Sequence, residues 1–227
     1  MTSRLFLSIA ATSALIASAA AHAGDPDGRL QAKLLVTGVL PDGGVSSASG
    51  PAAGALAGSN TSGSDQYVPT VALEYFFAPN FSVETICCVT NHSVKGKGNL
   101  AGAKLVKDYL ILPATVTAKY HFTGLGEMKP YVGAGPAWFV SLGDKPGADA
   151  VALGLTNVDI SNTFGAALQA GIDIAVNDSG LSFTFDAKRY FVRPKASFFT
   201  ADGTRVLQTK HDLDPWVISA GVAYRFY

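Results

Sequence analysis

Beyond residue 23 the chain has no apolar run of 18 or more residues, so no helix of it can span a bilayer, which takes about 20. Cysteine is almost missing: the pair Cys87-Cys88 is all there is. Neighbours on a strand point to opposite faces and resist bridging each other, so the pair makes neither a disulfide scaffold nor a metal site. They read as one small outward and one small inward residue. Charge of one sign is missing too. With 17 basic and 17 acidic residues there is no basic surface for nucleic acid. No glycine-flanked nucleophile and no metal-ligand spacing occurs, so neither an enzyme nor a cofactor is expected.

What is present begins with an export signal. Arg4 supplies a positive start, residues 5–20 an almost uncharged apolar stretch, and Ala21-His22-Ala23 a small-x-small cleavage site. Removal of the first 23 of 227 residues leaves one domain, 24–227, with 16 basic and 17 acidic residues and a net charge of −1. A mildly hydrophobic exported chain without a spanning helix can live in a membrane as a closed barrel, which satisfies every backbone group between strands.

The last twelve residues show the pattern such a barrel needs. Trp216, Ile218, Ala220, Val222, Tyr224 and Phe226 fall on one face, and Val217, Ser219, Gly221, Ala223 and Arg225 on the other. About ten residues of this alternation cross a bilayer as a tilted strand. The pattern recurs seven more times. Leu30 to Val36 alternate with Gln31, Lys33 and Thr37, and Val71 to Phe77 with Thr70, Ala72, Glu74 and Phe76. Phe81 to Val89 alternate with Ser82, Glu84, Ile86 and Cys88, and Leu112 to Phe122 with Pro113, Thr115, Thr117, Lys119 and His121. A Gly- and Ala-rich segment, 131–140, comes fifth. Phe164 to Ile174 then alternate with Gly165, Gln169, Gly171 and Asp173, and Leu181 to Phe191 with Ser182, Thr184, Asp186 and Lys188. Arg189 breaks the apolar face of the seventh, which a place near the outer headgroups would accommodate.

The connections decide the topology. Those at 78–80, 123–129 and 177–180 are short, whereas 41–66, 91–109, 141–162 and 194–212 are long. The fold expected is therefore all-β: an eight-stranded antiparallel transmembrane β-barrel with short periplasmic turns and long extracellular loops. A soluble sandwich has no reason for such strict alternation. Tyr75, Phe77, Phe81, Tyr120, Phe122, Tyr131, Tyr224 and Phe226 cluster by the short turns and are expected to form one aromatic girdle. Trp138, Phe139, Phe191 and Trp216 are expected to begin the other.

Several segments resemble the outer membrane protein W family, which includes the alkane-uptake barrels. They are Leu112-Pro-Ala-Thr before Ala118-Lys-Tyr-His-Phe122, then Lys129-Pro-Tyr-Val-Gly-Ala-Gly135, Phe164-Gly-Ala-Ala-Leu-Gln-Ala-Gly-Ile-Asp173, and Leu213-Asp-Pro-Trp216 running into Tyr224-Arg-Phe226. The resemblance covers the eight strands and leaves out the long loops. It implies a narrow, largely hydrophobic interior that passes small hydrophobic molecules across the outer membrane of a Gram-negative bacterium, with release sideways into the bilayer. The family pattern ends at the aromatic of Tyr-Arg-Phe, a signal for the barrel-assembly machinery. Tyr227 follows it here as an extra residue.

An eight-stranded interior is just wide enough for side chains or one small ligand. Glu74, Lys119, His121 and Arg225 fall at the periplasmic strand ends, with Asp173 among the other inward charges. They read either as a polar gate or as a self-satisfying charge network, since unpaired buried charges are costly. Higher up, Leu35, Ile86, Cys88, Pro113, Val217 and the glycines of the fifth and sixth strands would make a small, apolar lumen. The loop 41–66, rich in Gly, Ala and Ser, is expected to be flexible, and Ala150 to Leu155 to fold over the mouth as a short helix or strand. The partners implied are outer-membrane lipids, small hydrophobic solutes and the assembly machinery, with no nucleic acid. Two functions stay open: a conduit for hydrophobic molecules, and a structural or adhesion barrel with a plugged lumen. A lipid-modifying enzyme is the weakest reading, because His92 and His211 lie in or beside long loops and His121 is at the wrong end.

Overall fold

Alternating β-branched and aromatic residues favour a pleated, half-buried surface, and each of the eight segments forms a strand. In the computed structural model, which describes residues 27–176 and 178–226 without the side chains of Cys87 and Asp108, these are β1 (Leu30–Leu40), β2 (Gln66–Ala78), β3 (Phe81–Cys87), β4 (Lys104–His121), β5 (Met128–Leu142), β6 (Thr163–Ala175), β7 (Leu181–Val192) and β8 (Trp216–Phe226). The segment read as a signal and Tyr227 lie outside the described residues. Each strand pairs antiparallel with the next. The opening strand closes the circle by pairing with the last along its whole length, from Leu30↔Phe226 to Leu40↔Trp216.

Register fixes which side chains meet lipid, because a strand alternates with period two. Leu34, Val36, Leu73, Val116, Leu168, Phe183, Phe185 and Ile218 stand outside, each 47% or more exposed. Such a surface would aggregate in water and suits hydrocarbon. Around the turn end Phe77 stacks on Phe81, Phe81 meets Tyr120, Tyr120 meets Phe122, and Tyr224 stacks on Phe226. At the other end Trp138 stacks on Phe164, and Arg189 lies over the Trp216 ring while pairing with Asp42 at 3.0 Å.

Two aromatics expected in the girdles are inside the barrel. Tyr131 is 1% exposed, and Val132 takes the lipid side instead. The sequence window there is rich in small residues on both faces, so apolarity does not reveal the parity. Phe139 likewise packs inward, edge-on against Tyr190.

The long connections are built rather than loose, which corrects the flexible loop expected at 41–66. That segment holds strands Gly43–Ser49 and Ser59–Gly63 and a 3-10 turn, Ala53–Leu56. Above the membrane the barrel continues as two arms. One joins Gly43–Ser49, Arg205–Leu213, Lys195–Phe199 and Asn157–Ile160. The other joins Ser59–Gly63, Thr90–Gly98, the upper half of β4 and Lys145–Pro146. Their inner faces share an apolar core of Val106, Tyr109, Val158, Ile160, Ala196, Phe198 and Leu207. Ala150 on the short helix Ala148–Ala152 is fully buried above the lumen. Asn60 ties the arms together, its side-chain oxygen accepting from the Val45 and Thr61 main chains.

Pairing in the wall is interrupted twice: briefly between β4 and β5, from Thr115↔Ala137 to Ala118↔Ala134 at Pro136, and between β3 and β4, where the chain also leaves the strand conformation. The β3–β4 ladder runs from Phe81↔Tyr120 to Ile86↔Thr115, and pairing with β4 resumes only at Thr90↔Ile111. Cys88 and Val89 fall between, outside any strand. On the β4 side stands Pro113, which has no N–H to donate to the ladder. Cys88 faces inward and is buried, and Val89 faces outward, 52% exposed.

Candidate functional site: a divided lumen

The inward residues sort by height into three layers. The lowest is a polar vestibule of about 390 Å³, lined by Arg29, Gln31, Phe76, His121, Asp173, Ser182 and Arg225 among others. One step up each strand lie three lysines and four carboxylates, all at most 5% exposed: Lys33, Lys119, Lys188, Glu74, Glu84, Asp173 and Asp186. Above them is an apolar cavity of about 370 Å³, with Ile86, Cys88, Pro113, Phe139, Tyr190 and Val217 in its lower wall.

The ionic layer is closely connected. Glu84 is its hub, lying 3.1 Å from the Lys33 ammonium and 3.0 Å from those of Lys119 and Lys188. The oxygen that meets Lys188 also accepts from Gln169 at 2.9 Å. Glu74 lies 2.9 Å from Lys33 and 2.8 Å from Lys119, and its second oxygen meets His121 Nε2 at 2.8 Å and accepts from the Ser82 hydroxyl. Asp186 accepts from Lys188 at 2.7 Å, from the Tyr131 hydroxyl at 2.8 Å and from Gln169 at 2.6 Å. The charge-assisted hydrogen bonds of Lys119 and Lys188 are of the strong length, whereas the Lys33 ammonium is held by charge proximity without a hydrogen bond; together these contacts oppose the cost of removing seven charges from water.

Tyr131 explains how the layer fills the lumen. Its ring lies beneath the Lys119 ammonium, 3.6 Å from it, with Lys33 at 4.9 Å. Cations are held over aromatic faces by the ring quadrupole. Glycines make the room: a methyl group on Gly171 would collide with the Tyr131 hydroxyl, and one on Gly133 with the Lys119 chain. These glycines of β5 and β6 therefore serve the ionic layer, not the upper lumen where their apolarity seemed to belong.

Of the residues read as a gate, the structure brings Glu74, Lys119 and His121 into direct contact. Asp173 joins through Gln31, which donates to it at 3.1 Å, and Lys33 at 3.6 Å. Arg225 sits at the vestibule, half-buried, with its guanidinium 3.7 Å from the Phe76 ring and its Nε donating to the Gly28 carbonyl. The apolar set divides similarly. Ile86, Pro113 and Val217 line the cavity, whereas Leu35 packs with Ala72 and Ile86 beneath it. Sequence reading missed Tyr131, Gln169 and Asp186 as members of the ionic layer. For Gln169 and Asp186 the signal was available, since both fall on the inward face of their strands.

Two histidines stand high in the cavity wall, above the membrane. His92 donates through Nδ1 to the Ser64 carbonyl at 2.8 Å, and its Nε2 lies 3.0 Å from the Thr90 hydroxyl. His211 lies between Thr61 and Thr209, at 3.4 and 2.8 Å. Burial pushes both below the ordinary value of 6.5, against a smaller opposing pull on His92 from Ser64 and Asp65. A neutral ring thus stabilises the folded arms above about pH 6.5, and that stability is lost as the pH falls through the lower folded values. Amide exchange in 59–64, 90–94 and 209–211, corrected for intrinsic rates, is expected to be faster at pH 5 than at pH 7.5. Unchanged protection would show that the rings do not hold the arms.

A closed barrel with lipid-facing strands, two aromatic belts and a small enclosed lumen defines the class: an outer-membrane β-barrel of a Gram-negative bacterium. The OmpW family model matches residues 26–226, and the chain belongs to that family. It is 37% identical to the outer-membrane protein y4mB of Sinorhizobium fredii, over 74% of this chain and 70% of that one. It is 25% identical to the dibenzothiophene metabolism operon protein PahQ of Pseudomonas aeruginosa, over 74% and 76% of the two chains. The crystal structure of OprG from Pseudomonas aeruginosa has the same fold, with a TM-score of 0.79 at 24% identity, over 90% of this chain and 98% of that one. The short turns accordingly face the periplasm and the two arms the outside.

Proposed function

We propose that the barrel is a conduit for passive uptake of small hydrophobic molecules, which enter the apolar cavity from outside and leave through the barrel wall into the bilayer. The observation that carries this reading is the division of the lumen. An apolar solute in the upper cavity meets a floor of buried ion pairs, and crossing it would strip charges of their partners at several kcal/mol each. The cavity also borders the break in pairing at Cys88, Val89 and Pro113, beyond which lies lipid. Sideways exit keeps the solute in apolar surroundings throughout. The name of the relative PahQ refers to dibenzothiophene, a compact apolar molecule of the class such a cavity suits.

The same ionic floor also suits a structural or adhesion barrel with a plugged lumen, and uptake separates the two. Val217→Trp places an indole in the lower cavity wall, among Tyr190, Ala137 and Ala167. Cells carrying the wild-type barrel are expected to take up a small labelled hydrocarbon several times faster than cells without it, and Val217→Trp cells to fall back to the barrel-free rate. Equal uptake with and without the wild-type barrel would favour the structural role.

A further inference from the structure

The outward face of the second arm carries five lysines: Lys95, Lys97, Lys104, Lys107 and Lys145, all exposed. Lys95 stands directly opposite Lys104, and Lys107 directly opposite Lys145. Directly opposed residues share a face, with Cβ atoms about 5 Å apart, so each pair presents two ammonium groups side by side. Val94 and Val106, which line the cavity, precede Lys95 and Lys107, so these two lysines point away from the lumen. Lys97 follows Lys95 by two and shares its face.

The height of the patch selects a partner. Trp138, in the outer aromatic belt, pairs with Ala114 on β4. Lys107 is seven residues further up that strand, about 23 Å along it and about 18 Å above the belt at the usual tilt. That is beyond the acyl chains, at the level of the sugars that surface glycolipids carry. We propose that this face binds the phosphate-bearing sugar head group of an outer-leaflet glycolipid, whose anions would lie across the exposed lysines. Lysines near an anionic surface add to its attraction, so loss of several of them is readable as affinity. The proposal does not depend on what the lumen carries.

The test uses the full barrel refolded in detergent, with rough lipopolysaccharide bearing a phosphorylated inner core as the probe. Binding is expected to fall as salt rises. It is expected to weaken at least about tenfold for the dephosphorylated glycolipid, and at least about tenfold for the quadruple variant Lys95→Gln, Lys104→Gln, Lys107→Gln, Lys145→Gln. The corresponding Lys→Arg variant should retain binding, which guards against a variant that fails to fold. Equal binding of phosphorylated and dephosphorylated glycolipid by the wild-type protein would overturn the proposal. So would an unchanged affinity in the Gln variant, or competition by inorganic phosphate at concentrations equal to the glycolipid.

Discussion

Replacing Glu84 by alanine is expected to lower the unfolding free energy of the barrel by about 3–5 kcal/mol, the usual cost of removing one partner from a buried ionic group. Glu84 is 2% exposed and meets Lys33, Lys119 and Lys188, each at 3.0 or 3.1 Å. Without it, three ammonium groups converge on a space with one carboxylate fewer, and Gln169 loses an acceptor. Glu84→Gln keeps the shape but not the charge, and should fall between. The measurement is urea unfolding in lipid vesicles, followed by the fluorescence of Trp138 and Trp216, the two tryptophans of the chain, which both face lipid. If Glu84→Ala unfolds at the wild-type urea concentration, the layer is not the structural floor described above. The same experiment on the exposed pair Arg193–Asp212, at 2.8 Å, provides the contrast. Surface pairs contribute about 0–1 kcal/mol, so its loss should hardly register.

Most of the barrel was legible because two constraints act on the same residues. Lipid demands one apolar face, and the period of two then fixes which residues remain inside. Lys33, Glu74, Glu84, Lys119, Asp173 and Lys188 were placed inward from alternation alone and are all buried. Reading failed where the faces lose contrast. In β5, from Met128 to Leu142, both faces carry small and aromatic residues, so Tyr131 and Phe139 were assigned to girdles they do not join. Arg225 shows a different limit. Its face was correct, but strand stagger in a sheared barrel decides the height at which an inward residue meets its neighbours. The arms above the membrane were not legible, since their order depends on long-range pairings such as Thr209↔Ala48 and Thr61↔Gly96. Gly- and Ser-rich sequence looks flexible until a partner strand satisfies its backbone.

The interruption between β3 and β4 gives the second large prediction. The registers on either side, Ile86↔Thr115 and Thr90↔Ile111, place Cys88 opposite Pro113 across the gap. The pairs on either side hold the strands at antiparallel spacing, about 4.5–5.5 Å between Cα atoms, so a disulfide, which spans about 4.4–6.8 Å, can bridge the two positions by drawing the gap closed. With Cys87→Ala removing the neighbouring thiol, Pro113→Cys therefore offers Cys88 a single partner. The bond would staple the wall beside the cavity while leaving the ionic floor, the arms and the outer entrance as they are. Uptake of a labelled hydrocarbon should then fall to the barrel-free rate when the staple is oxidised and return on reduction. Sideways release through this gap is the central claim, and the stapled barrel tests it most directly. Loss of uptake that reduction reverses is the result predicted; full uptake with the disulfide formed would mean that the solute leaves by another path.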